Sequence, residues 1–198
     1  MSQSAKTASQ RGVRKILWDA LTLDEHLYDD AHEHPRYRRI AQGIVLIAAI
    51  SHAIGSTVIL LVYRASIPAL LLGLVINGLS VFVGYYFWTF TIWKIGHWLY
   101  RPSQNKREGF PVPNYQDLLA PIGFAHAPQV FNFLTVIPLL GRPIEIGLAL
   151  WSLLAVIVAV RYALEIRMWR SILICVIGWP IVQVAIGVIQ ILLQELAR

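Results

Sequence analysis

Five apolar blocks make up most of the chain and predict its architecture. They run over residues 40–63, 67–93, 118–140, 144–164 and 172–193. Each holds at least about 20 residues, enough to cross a ~30 Å hydrocarbon core at ~1.5 Å per residue. The prediction is an all-α polytopic membrane protein, a bundle of five transmembrane helices. The second block is longer than a crossing needs and is expected to tilt. The third and fourth meet at Pro138, Gly141 and Pro143. That corner has room only for a tight turn and predicts a membrane hairpin.

The N-terminal stretch follows a different pattern. Residues 1–12 have no apolar core and read as a flexible tail. No secretory signal is expected, because the first long apolar run starts only at Ile40. Residues 13–39 read as a cytoplasmic amphipathic helical segment ahead of a membrane domain over residues 40–198. Val13, Ile16, Leu17, Ala20 and Leu21 fall on one stripe of a helix, with Arg14, Lys15 and Trp18 beside them. In one reading the stripe lies in the bilayer interface, Trp18 at headgroup depth and the two cations on anionic lipid. In the other it packs on the bundle. Thr22-Leu23-Asp24-Glu25 has the form of a capping box, with Thr22 as N-cap of a second short helix running to about Glu33. His34-Pro35 then opens the first span, since proline suits a first helical turn.

Composition supports the membrane class. Hydrophobic residues make up 57% and charged residues 14%, where a soluble domain carries about a quarter charged. The net charge of +6 sits beside apolar runs, not in a basic patch interleaved with aromatics, so no nucleic-acid partner is expected. Lys and Arg divide fourteen to three between alternate connections. Lys6, Arg11, Arg14, Lys15, Arg36, Arg38, Arg39, Lys94, Arg101, Lys106, Arg107, Arg161, Arg167 and Arg170 stand on one side; Arg64, Arg142 and Arg198 stand on the other. The positive-inside rule puts the N-terminus in the cytoplasm and the C-terminus on the opposite side, as five spans require. The expected location is a bacterial cytoplasmic or related energy-transducing membrane.

Candidate chemistry is sparse. Asp24, Glu25, His26, Asp29, Asp30, His32, Glu33 and His34 cluster in the second short helix, but no closed metal-ligand spacing appears among them. Ser51, His52 and Asn77 lie inside spans, where polar groups serve either function or interhelical hydrogen bonding. A lone His52 names no cofactor, and none is expected. Pro121, Pro128 and Pro138 should bend the third span. Ser51/Gly55 and Ala69/Gly73 suit close helix packing. Glu145 suits a helix start. Arg161 and Glu165, four apart, are expected to pair on one helix face. Trp88, Trp93, Trp98, Tyr100 and Trp169 are placed as an aromatic belt. Cys175 reads as a small buried hydrophobe. Neither a phosphate loop nor a nucleophile motif is present, so no enzyme is expected.

Tyr115, Leu118-Leu119, Gly123, Ala125, Pro128, Ile137-Pro138, Gly141, Trp151, Arg161 and Ala163-Leu164 together resemble the hairpin of the YIP family, membrane proteins named for interacting with Ypt/Rab GTPases. The resemblance covers about residue 17 to the C-terminus, specific in the hairpin and loose elsewhere. It implies five spans, a cytoplasmic N-terminus and no catalytic residues. The N-terminal region is shorter than in eukaryotic members, and residues 106–113 replace a Gly-rich approach to the third span. Both departures give a prokaryotic type, to which the Rab-linked role does not carry over. The expected role is membrane organisation through the cytoplasmic face, with Arg14, Lys15, Trp18, Arg161 and Glu165 as contacts to lipid or partner. The alternative is an accessory subunit of a larger respiratory or photosynthetic complex, packed by helices and bound lipid or pigment. A small transporter is the third reading. Membrane lipids and either other membrane subunits or a second copy of the chain are the expected partners.

Overall fold

A computed structural model describes residues 12–31, 35–62, 66–99, 114–137 and 139–196. Within them every regular element is a helix: α1 (Val13–Leu21), α2 (Glu25–Asp30), α3 (Pro35–Val62), α4 (Ile67–Leu99), α5 (Tyr115–Phe124), a 3₁₀ helix (Ala127–Val136), α6 (Gly141–Ala163) and α7 (Met168–Leu196). Three of these contain segments long and apolar enough to cross a membrane: Arg36–Val58, Ile67–Trp98 and Gly141–Ala163. They answer to the first, second and fourth predicted spans. The fifth block forms α7, whose apolar part among the described residues, Met168–Val182, is shorter than a crossing.

The third block departs from expectation. In place of one bent helix over residues 118–140, it forms α5, a turn at Ala125 and His126, and the 3₁₀ helix. Pro128 has no amide hydrogen to continue an α-helical ladder. The chain tightens ahead of it, with the His126 amide donating to the Gly123 carbonyl at 3.1 Å. That leaves the Ile122 carbonyl without its usual backbone donor. The His126 imidazole supplies one through Nδ1, 2.9 Å away. Pro138 lies outside the described residues.

This broken segment is the centre of the molecule. Residues 118–128 are buried without interruption. α3, α4 and α6 all pack on α5, and α3 and α6 continue along the 3₁₀ helix. Close approach depends on small residues. A Cβ on Gly123 would stand 2.8 Å from the Ala41 Cβ of α3. The Ser51/Gly55 pair does face a neighbour closely, and that neighbour is the 3₁₀ helix. Ser51 Oγ accepts the Phe133 amide at 2.8 Å. Ser51→Ala would leave that donor without its partner, so a loss of about 1–3 kcal/mol is expected, read as a lower unfolding temperature in mild detergent.

Other polar and aromatic expectations are revised. Asn77 bonds within its own helix, Nδ2 donating to the Gly73 carbonyl at 2.8 Å, and holds no neighbouring helix. Ala69 is exposed and Gly73 half-buried. Trp88 leaves the predicted belt: it is buried, and its ring lies over Gly178 of α7. Cys175 is buried as expected. α7 is tied to α6 by the Ser171 hydroxyl, which donates to the Ile157 carbonyl. The outer faces of α3, α4, α6 and α7 expose Leu, Ile and Val along their length.

Candidate functional site: the basic and aromatic end of the bundle

α1 sets the first part of the site. At ~100° per residue, Ile16 and Ala20 point one way and Arg14, Lys15 and Trp18 the other. The structure buries Ile16 and Ala20 completely and leaves Leu17 and Leu21 partly buried against the core. The predicted stripe therefore packs on the bundle, except for Val13, which is exposed at the helix start. Trp18 is 66% exposed, with Arg14 and Lys15 exposed four and three residues before it. That spacing makes them neighbours on one outward face.

The turn into α2 is built differently from the predicted capping box. Thr22 closes α1, its Oγ1 donating to the Trp18 carbonyl at 3.0 Å. Leu23 then takes a left-handed φ of 59°, and Asp24 is the cap of α2, accepting the His26 amide at 3.0 Å. Leu27, Tyr28 and Ala31 are buried. Tyr28 donates to the Ala20 carbonyl at 3.3 Å, joining the two short helices, and burial raises its phenol above the ordinary range. Glu25 accepts a hydrogen bond from Tyr162, fixing α2 to the last turn of α6. The metal-ligand candidates are not gathered: no three His, Cys, Asp or Glu converge among the described residues. His32, Glu33 and His34 lie outside them.

The ends of α4, α6 and α7 complete the site. The Leu164 side chain would stand 3.1 Å from a Cβ on Gly96, so the end of α4 lies beside the α6–α7 turn. Around that turn three aromatic rings have a cation over them. Lys94 Nζ lies 5.9 Å from the Trp93 ring, the Arg161 guanidinium 5.2 Å from Tyr162, and that of Arg170 5.3 Å from Trp169. Trp98 is exposed nearby on the α4 end, while Tyr100 lies outside the described residues.

Arg161 and Glu165 do not form the predicted pair. α6 ends at Ala163, and Glu165 has a left-handed φ of 50° that carries it off the helix face. Arg161 stacks on Tyr162 instead. Of the five contact candidates, Arg14, Lys15 and Trp18 stand together, Arg161 belongs to the neighbouring cation–ring set, and Glu165 stands apart. Sequence reasoning missed Tyr162, whose role depends on a partner 137 residues away. Indoles beside cations suit a layer where apolar rings meet phosphate headgroups. No family model, curated protein or solved structure matches this chain.

Proposed function

We propose that the chain is a non-enzymatic, five-span integral membrane protein of the prokaryotic YIP type that organises membrane through its basic and aromatic end. The observation that carries this reading is α1: one face is pinned to the bundle by Ile16 and Ala20, and the other presents Arg14, Lys15 and Trp18 outward. A surface so held offers charge and an indole to anionic lipid without first having to fold. Five crossings are supported by length. The ten residues of α5 cover ~15 Å and the ten of the 3₁₀ helix ~20 Å. The 29 residues of α7 cover ~43 Å. The charge asymmetry between connections supports a cytoplasmic N-terminus.

Trp18 quenching tests the reading. With the protein in nanodiscs containing brominated phosphatidylglycerol, the Trp18→Phe variant gives the background from the other tryptophans, and the difference reports Trp18. Substantial quenching of Trp18 is expected. Arg14→Gln together with Lys15→Gln should weaken anionic-lipid binding about 30-fold, at ~1 kcal/mol per cation. A Trp18 difference signal equal with and without bromine would overturn the reading.

A specific observation also favours the accessory-subunit reading. The first half of α4 exposes Ile67, Leu71, Val75 and Leu79 on one continuous face, which no other helix among the described residues covers. Native sizing after mild extraction separates the two readings: a large stoichiometric assembly supports the subunit, and a single chain or small oligomer supports the membrane organiser.

A further inference from the structure

Away from the basic end, a cavity of about 280 Å³ opens between α6 and α7. It is lined by Arg142 and Glu145 near the start of α6, which make its polar mouth, by Ile146, Ala149, Leu150 and Leu153 further along the same helix, and by Trp179 of α7. The α6 residues recur at spacings of three and four, so they form a single face of that helix. Ala149 is the one short side chain among the apolar lining residues. From Arg142 to Leu153 the axis rises ~16 Å, about the depth of one leaflet of a ~30 Å hydrocarbon core. Polar groups thus stand at one end of an open apolar groove on the surface of α6 and α7, the arrangement of a headgroup above an acyl chain.

We infer that this groove binds one aminophospholipid, with its phosphate on Arg142, its primary amine on Glu145 and one acyl chain along the apolar α6 residues to Trp179. Charge selects this occupant. Arg142 Nη1 and Glu145 Oε2 are 2.8 Å apart, so the mouth offers one positive and one negative group and no net charge. Guanidinium has five donors and the carboxylate several acceptor sites, so each can take one half of a zwitterionic head while the pair persists. A phosphatidylglycerol head could give its phosphate to Arg142 but has no ammonium to give to Glu145. A choline head carries no N–H to donate to the carboxylate. A second protein helix would have to bury Arg142, whose side chain is 78% exposed, and strip water from an ion pair. The site stands at the other end of α6 from the Arg161–Tyr162 pair, and its test is independent of the function proposed above.

Native mass spectrometry of the detergent-purified chain, loaded from equal phosphatidylethanolamine and phosphatidylglycerol of matched chains, decides the matter. One phosphatidylethanolamine per chain should be retained in preference to phosphatidylglycerol. Glu145→Gln should reduce that retention about tenfold, as loss of one charge-assisted bond would, and leave phosphatidylglycerol unchanged. Ala149→Phe, on an exposed position that tolerates bulk, should fill the groove and lower retention of both. Equal retention of the two lipids by the wild-type chain would overturn the inference. So would wild-type preference persisting in Glu145→Gln, whether or not Ala149→Phe folds. A dimer that Arg142→Gln dissociates would overturn it in favour of a second copy of the chain.

Discussion

Leu27→Ala is expected to loosen the N-terminal helices from the bundle by about 2–5 kcal/mol, the usual range for emptying a fully buried leucine site. Leu27 is 0% exposed and shares its cluster with Ile16, Ala20, Tyr28 and Ala31. α1 has nine residues and α2 six, lengths at which an isolated helix is not stable in water. Their order therefore comes from docking, and the apolar contact dominates it. The Glu25–Tyr162 bond is exposed and contributes about 1 kcal/mol or less. Hydrogen exchange should show the effect as local: amide protection over residues 13–31 falls at least ~30-fold, at ~1.4 kcal/mol per tenfold, while α3 and α6 keep theirs. Unchanged protection would mean that the hairpin is held by something other than this apolar contact. The variant also bears on the proposed membrane binding, because an undocked α1 no longer holds Arg14, Lys15 and Trp18 in one place.

Gly55→Val is the second large effect, an expected loss of about 3 kcal/mol at the α3–3₁₀ contact. A Cβ there would stand 2.6 Å from Thr135 Oγ1 and 2.8 Å from the Asn132 carbonyl oxygen. Neither atom can give way cheaply. The carbonyl belongs to backbone, and Thr135 Oγ1 already donates to that same carbonyl at 2.7 Å. The helix-propensity gain on replacing glycine, below ~1 kcal/mol, does not offset the clash. Gly43 on the same helix is the control, since a Cβ there meets nothing within 4 Å. Gly43→Ala should be neutral or stabilising by up to ~1 kcal/mol. Unfolding midpoints in one detergent, with size-exclusion profiles, compare the two. Equal midpoints for Gly55→Val and wild type would show that α3 and the 3₁₀ helix are not in tight contact.

The helices were legible where one strong signal set them. Pro35 opens α3 as its missing amide hydrogen predicts, and apolar length located α4 and α6. The misses trace to backbone that the side chains did not advertise. Leu23 and Glu165 are left-handed without being Gly or Asn. The first moved the cap of α2 from Thr22 to Asp24, and the second removed Glu165 from the reach of Arg161. The break at His126 had a visible cause in Pro128, but a kinked α-helix answers a proline equally well. A finer signal lay in Gln129, Asn132 and Thr135, polar residues recurring every three positions. Three is the 3₁₀ period, in which such residues eclipse; in an α-helix they would fan around the axis. Of the basic site, the exposed side of α1 could be read from its periodicity, whereas the meeting of α2 with α6 could not.

The winding of that segment also changes how the chain's length should be counted. Ten residues at ~2.0 Å advance about as far as thirteen at ~1.5 Å. The 3₁₀ helix thus covers its distance with roughly three residues fewer than an ordinary helix. Homologous chains that form an uninterrupted α-helix here would accordingly carry an insertion of about three residues between the equivalents of Ala127 and Val136. Their polar residues would recur at three and four positions rather than every third. Alignment gaps of that size in an otherwise apolar block would mark a change of winding, with no change in topology.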